Sequence, residues 1–355
     1  MKNKNIIALL IATSIVSSLI TYSVCRQNLR IQTKTGSPNI SETSVAQSST
    51  CSYNIRRLKG FKFIRPLQYA EPECEGAKFL PLKAQLQNII ESHKNADDIT
   101  AASVYLRDFD KGNWINVNPD EQFHPASLLK LVVLITFLKM EENTPGFLSK
   151  KLTFSEKLTK TRVQTFNSKQ IEVGKSYTIK DLLQYMVSYS DNNATNLLHD
   201  AMDVEEYKKT YDYLGIAIPD VYKLGYTITA RDYSTFLKVL YNGGCLDFEH
   251  SEFAFELLAK TDFNDGFVAG MPKGTLIAHK FGEWTDGKSI RQLHESGLIY
   301  LDGKAYLLTI MTSGSNVKQL SGVIADITKK VYDYLDKPVI SSVGFAPNNS
   351  YQQFF

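Results

Sequence analysis

The chain has 355 residues, 43% of them hydrophobic, and a formal net charge of +3. That length can bury a sizeable core. The weak charge balance, with no basic cluster interleaved with aromatics, excludes a dedicated nucleic-acid binder.

Lys2 and Lys4 precede an uncharged run from Ile6 to Val24. At 1.5 Å per residue it reaches roughly 28 Å, about the hydrocarbon thickness of a bilayer. No small-x-small cleavage site closes it, and bulky residues precede Cys25, so residues 1–25 read as an uncleaved signal-anchor. Cleavage, giving a secreted chain, and lipidation are the alternatives. The expected location is membrane-anchored and extracytoplasmic, at the periplasm or cell surface. Residues 26–52 read as a flexible linker, rich in Ser, Thr, Gly and Asn from Thr33 onward. Of the four cysteines, Cys51 and Cys74 flank a short polar segment. Pairing in an oxidising compartment and free thiols are both open.

Residues 53–98 form a lead-in with a helix expected over Leu80 to His93. Ala101 to Phe109 reads as a strand, and Trp114 to Val117 as its hairpin partner across Asp110-Lys111-Gly112-Asn113. A helix beginning near Ser127 and running to about Met140 is apolar almost all round, which places it inside a domain. Helical patterns follow at about 179–188, 193–202, 204–214, 229–241 and 251–260. Strand patterns then return at Thr275 to Phe281, His294 to Leu301 and Ala305 to Thr312, and a last helix spans Lys318 to Leu335. This order implies an α/β (α+β) fold. One antiparallel sheet is built from both ends of the 99–337 domain, with an all-helical block inserted. Residues 338–355 read as a tail.

Ser127-Leu128-Leu129-Lys130 puts a hydroxyl and an amine one helical turn apart on one face. A neutral amine there can take the hydroxyl proton and make the alcohol a nucleophile. Such a pattern arises about twice by chance in a chain of this composition, and Ser315-Asn316-Val317-Lys318 reads as that coincidence. Ser190-Asp191-Asn192 opens a helix, where capping alone accounts for an acid or amide. His279-Lys280-Phe281-Gly282-Glu283 lies on an expected strand. A lysine near a strand glycine can mark close backbone approach to a ligand.

These three elements, in this order, resemble the class A β-lactamase and penicillin-binding family, whose signature is S-x-x-K, S-D-N and K-T-G. Phe123 to Ser127, Tyr177 to Leu183, Asn193 to Leu198, Thr229 to Asp232 and Gly274 to Gly282 extend the likeness over about residues 80–337. The resemblance implies a β-lactamase/transpeptidase-like fold and a serine hydrolase acylated at Ser127 by a β-lactam or a D-alanyl-type peptide amide. It assigns Lys130 as base and Ser190 as proton relay. Asn192 holds Lys130 and a substrate amide, and Lys280 attracts a substrate carboxylate. Gly282 lets substrate lie along the strand, and the N–H groups of Ser127 and Glu283 form the oxyanion hole. It needs no metal or organic cofactor and implies a monomer.

Two departures qualify the likeness. The segment Gly215 to Tyr226 carries no glutamate to activate deacylating water, and its one acid, Asp220, reads better as a turn residue. Phe281 replaces the hydroxyl of K-T-G and cannot donate a hydrogen bond. Slow or unusual deacylation is expected. A peptidase, esterase or amidase without β-lactam activity is one alternative, and a non-catalytic cell-wall-binding module another. Among the histidines, His124 is expected at the site's edge, with His279 and His294 facing each other on neighbouring strands. Glu295 is expected at the surface or in a turn.

Overall fold

The computed structural model describes residues 51–156, 165–166, 168–218 and 225–336. The expected signal-anchor, most of the linker, the 338–355 tail and Asp220 lie outside the described residues. Among the described residues no helix is long and apolar enough to cross a membrane.

Two short strands, β1 (Tyr53–Arg57) and β2 (Leu67–Pro72), pair antiparallel ahead of helix α1 (Leu80–Asn95). A disulfide joins Cys51 to Cys74 across their outer ends, with Cα atoms 5.8 Å apart. The sequence reading held no strands here, because β1 is largely exposed and shows no apolar alternation. Strands β3 (Ala101–Asp108) and β4 (Trp114–Val117) form the expected hairpin. A 3-10 turn at Ala126–Leu129 leads into α2 (Lys130–Asn143), so Ser127 lies just before the α-helix rather than within it.

The inserted block holds a small pair, β5 (Lys151–Thr153) with β6 (Ser176–Thr178), then α3 (Ile179–Ser188), α4 (Asn192–His199), α5 (Val204–Leu214), α6 (Ala230–Tyr241) and α7 (Phe248–Ala259). Side-chain caps explain most of these boundaries. Thr178 and Asp181 form a reciprocal capping box on α3, and Asp191, Asp203, Thr229 and Asp247 cap the next four helices. The chain returns through a four-residue helix, α8 (Phe267–Gly270), to β7 (Leu276–Thr285), β8 (Arg291–Leu301) and β9 (Lys304–Gly314), and closes with α9 (Val317–Leu335). Asn316, inside the second S-x-x-K, caps α9.

The antiparallel sheet runs β4-β3-β9-β8-β7, so both ends of the domain meet at β3 and β9. Both of its faces are covered. Leu106, Leu308 and Ile310 pack with α1 and α9 residues such as Leu86 and Ile324, while Tyr105, Leu307 and Met311 pack toward the helical block with Leu134, Met186 and Phe236. Burial on both faces explains why these strands read as continuous apolar runs without polar alternation. Strand β7 is left at the edge, next to the turn that carries Ser127.

Candidate active site

The Ser127 turn is held from three sides. Pro125 O accepts the Leu128 N–H at 3.0 Å, and the buried Tyr233 hydroxyl donates to Leu128 O at 3.0 Å. The residue before Ser127, Ala126, has φ 52°, a left-handed conformation that costs a non-glycine residue about 1 kcal/mol or more. Gly282 of β7 makes the close approach possible, since a Cβ there would stand 3.0 Å from Leu128 N and 3.1 Å from Pro125 O. Its missing side chain therefore makes room for the turn that carries Ser127. Ser127 itself is half-buried.

Lys130 is 5% exposed. Its ammonium nitrogen donates to Ser190 O at 2.6 Å, to Asn192 Oδ1 at 2.8 Å and to Ser190 Oγ at 3.3 Å. Burial pushes its pKa from 10.5 down to about 7, and the nearby Asp191 carboxylate opposes that shift. Ser190 has φ 54°, so the S-D-N segment is also strained where it meets the lysines. Lys280 is 1% exposed and donates to Ser190 Oγ at 2.9 Å and to the carbonyl of Phe281 at 2.9 Å. Burial first, and Lys130 second, hold its pKa well below that of a free lysine. Two amines from distant parts of the chain thus share one serine hydroxyl.

Asp191 does two jobs that the capping reading covers only in part. One oxygen caps α4 through Asn193 N at 2.8 Å, and the other accepts the Ile171 N–H at 2.8 Å, which ties the segment before β6 to the site. Burial raises its pKa, against these backbone bonds and Lys130.

The histidines take other places. His294 is buried and pairs in register with Gly282, while His279 pairs with Gly297, so the two do not face each other. The Thr312 N–H donates to His294 Nδ1 at 3.2 Å, which leaves Nε2 protonated to donate to His124 O at 3.0 Å. Burial pushes its pKa down to about 3, so it is a neutral strut beneath the approach to Ser127. His124 stacks on Trp284 and receives the Ala126 N–H on Nδ1. Glu295 is fully buried, not at the surface. Its Oε1 lies 2.5 Å from His279 Nδ1, off the hydrogen-bond line, and its Oε2 accepts the Phe267 N–H at 2.9 Å. Gly266 leaves the space that this carboxylate fills, as a Cβ there would sit 1.8 Å from Oε2. Burial raises the pKa of Glu295 against the pull of His279.

Phe281 turns away from Ser190 into an aromatic group. It stacks on Phe263 with centroids 4.5 Å apart and meets Phe166 edge-on at 6.1 Å. Glu283, next on the same face of the strand, is half-buried and accepts from Thr165 N at 2.9 Å and Thr165 Oγ1 at 2.6 Å. Asp262 accepts from the Ser168 hydroxyl. Sequence reading missed Thr165, Phe166, Asp262 and Phe263, which lie in loops with no motif and meet the site only through the fold.

Glu142, Asp247 and His250 bring potential metal-ligating atoms within 4.8 Å of one another. They sit at the far end of α2, roughly 18 Å along that helix from Lys130. Asp247 is engaged in capping α7 and Glu142 in pairing with Lys139, so this cluster takes no part in the site.

A strained serine turn, a buried amine of lowered pKa and a second amine joined through a serine hydroxyl are groups on which a serine acyl transfer can draw. The model of the β-lactamase enzyme family matches residues 81–335, and the chain belongs to that family. A β-lactamase of Bacteroides uniformis is 24% identical over 274 residues, covering 70% of this chain and 91% of that protein. The ROB-1 β-lactamase of Haemophilus influenzae is 32% identical over 113 residues, covering 32% of this chain and 35% of its own length. Among solved structures, PBP-A shares the fold with a TM-score of 0.59 at 23% identity, covering 72% of this chain and 96% of that one. A β-lactamase from Chitinophaga pinensis gives 0.61 at 18% identity, covering 72% and 100%. The protein is a β-lactamase-like hydrolase, and its fold is the mixed α/β one with an antiparallel sheet that the sequence implied.

Proposed function

We propose that Ser127 is the nucleophile of an acyl-transfer reaction on a β-lactam or a D-alanyl-type amide. Lys130, uncharged, takes the Ser127 proton as the Oγ–carbonyl bond forms. The tetrahedral oxyanion is held by the N–H groups of Ser127 and Glu283, where losing one donor costs roughly 2.7–4 kcal/mol of barrier. The C–N bond then breaks, and the proton passes from Lys130 through the Ser190 hydroxyl to the leaving nitrogen. Asn192 fixes Lys130. Lys280 orients the Ser190 hydroxyl, a role its two hydrogen bonds support better than direct contact with a substrate carboxylate. Deacylation is slow, because the segment from Gly215 to Tyr226 supplies no glutamate.

The observation that carries this reading is the convergence of Lys130 and Lys280 on Ser190 Oγ, at 3.3 and 2.9 Å. A mutant of PBP-A is known as its acyl-enzyme complex with penicillin G, which makes that compound a suitable probe. Intact-mass measurement after incubation with penicillin G is expected to show a stoichiometric adduct on the wild type that persists after excess drug is removed. None is expected on Ser127→Ala. An unmodified wild type under all conditions, with a serine-reactive fluorophosphonate also failing to label it, overturns the assignment of Ser127.

We also place the chain outside the cytoplasm, anchored by residues 1–25 and monomeric. The uncharged run from Ile6 to Val24 supports the anchor, and the Cys51–Cys74 bond supports an oxidising compartment.

A further inference from the structure

The ribbon formed by β1, β2 and their connecting turn gathers positive charge. Arg56, Arg57, Lys59, Lys62 and Arg65 fall within residues 53–70, a stretch that holds no acid. Phe61 and Phe63 are interleaved with them, so the segment is a basic, aromatic cluster that the sequence reading passed over. Arg57 donates to Arg65 O, and Arg65 to the carbonyls of Phe61 and Ile64, so these guanidinium groups brace the turn without losing their charge. Lys59 and Lys62 are exposed. Alternation along β1 puts Tyr53, Ile55 and Arg57 on the outer face, opposite Asn54 and Arg56. The acids that border the ribbon among the described residues, Asp212, Glu71, Glu73 and Asp232, line clefts on its inner side with Asn54 and Tyr69.

The same ribbon exposes large apolar side chains. Phe63 is 87% and Ile64 56% exposed in the turn, and Tyr53 is 61% and Ile55 54% exposed on the outer face. Single residues of this kind are ordinary at a surface, but a group of them beside concentrated charge marks a contact. A soluble polyanion would meet the cations and leave Phe63 and Ile64 in water. An anionic bilayer meets both, with phosphates for the cations and the interfacial region for the apolar side chains. Only residues 25–50 separate the ribbon from the uncharged run that ends at Val24, so a bilayer holding that run is within reach of the turn.

We propose that the β1–β2 ribbon docks on an anionic lipid surface, with Phe63 and Ile64 entering the headgroup region and Arg57, Lys59, Lys62 and Arg65 meeting lipid phosphates. This surface is separate from the chemistry at Ser127 and stands or falls without it.

The test is amide hydrogen exchange on the full chain, mixed with lipid nanodiscs of phosphatidylcholine alone or of equal parts phosphatidylcholine and phosphatidylglycerol. The amides of residues 59–65 are expected to exchange about fivefold or more slowly on the anionic discs, the factor that one basic residue near such a surface supplies. Salt of about 1 M, which screens beyond about 3 Å, should remove the difference. So should Arg57→Glu with Lys59→Glu and Lys62→Glu, while exchange in β8 and β9 stays unchanged. Phe63→Ser with Ile64→Ser is expected to lose most of the protection, and full protection in that variant overturns entry of the turn into the bilayer. Equal exchange on the two kinds of disc, or a chain that stays with neither, overturns the inference. A chain held only by anionic discs, with residues 59–65 protected, supports it even if residues 1–25 do not insert. Protection by single-stranded DNA on neutral discs, with none from phosphatidylglycerol, assigns the surface to nucleic acid and overturns the lipid partner.

Discussion

Lys130 is the residue on which the pH behaviour turns. A base must be uncharged to accept the Ser127 proton, and burial sets the Lys130 pKa at about 7. The rate of acylation is therefore expected to climb about tenfold per pH unit below 7 and to level off above it, followed with any chromogenic acyl donor. Lys130→Arg should abolish the reaction across that range, because a guanidinium stays protonated. A flat profile from pH 5 to 8 would remove Lys130 as the base. The same shift has a stability consequence. Between pH 7 and 10.5 the unfolded chain holds a proton on Lys130 that the folded chain has released, so stability rises with pH through that window. Below pH 7 the full penalty of burying this amine is present. The site thus carries a folding cost that its neighbours Asn192 and Asp191 offset in part.

At the scale of elements, a buried carboxylate helps dock the β1–β2 pair, beside bonds such as those from Trp114 Nε1 to Pro72 O at 2.7 Å and from Arg107 to Ala70 O at 3.1 Å. Glu71 of β2 is buried and meets Arg107 of β3 at 2.7 Å, Arg231 of α6 at 3.1 Å and Lys238 of α6 at 3.2 Å, and it accepts from the Tyr105 hydroxyl. Burial alone would raise its pKa, but these cations and that bond hold it below the ordinary value. Glu71→Ala leaves three cations facing one another, two of them buried, so a loss of about 3–5 kcal/mol in urea unfolding is expected. A loss under about 1 kcal/mol would mean that the cluster does not fasten the pair. None of this was legible in the sequence, where Glu71 is one acid in a polar stretch and its partners lie 34 to 167 residues away. The elements that did read correctly carry their own signals. Helix α2 is apolar all round, α3 opens on a Thr-x-x-Asp box, and the β3–β4 hairpin turns at Asp110 to Asn113. The histidines misread because strand register, which pairs His279 with Gly297 and His294 with Gly282, is set by the whole fold, and Glu295 misread for a different reason. A strand's period tells which face a residue takes, but not whether that face is covered, and here both are.

For the whole molecule, the Cys51–Cys74 bond closes a loop around the β1–β2 pair. The cysteines lie 23 residues apart, and the loop between them contains both β1 and β2. Closing a loop of that length removes unfolded-state entropy worth roughly 3 kcal/mol. The gain is realised only if the pair stays docked in the folded state, and the Glu71 cluster keeps it there. The disulfide and the ion cluster therefore act on the same segment, and their contributions should not add. Cys51→Ser with Cys74→Ser is expected to lower unfolding stability by about 3 kcal/mol in the otherwise natural chain. In the Glu71→Ala background the same pair of changes should cost clearly less, because the undocked strands no longer convert the cross-link into folded structure. Acylation of Ser127 should survive the cysteine changes, since Lys130, Ser190 and Lys280 are all held by elements outside that loop. Full additivity in the double-mutant cycle would separate the two devices. Loss of acylation in the folded cysteine variant would instead tie the lead-in strands directly to the site.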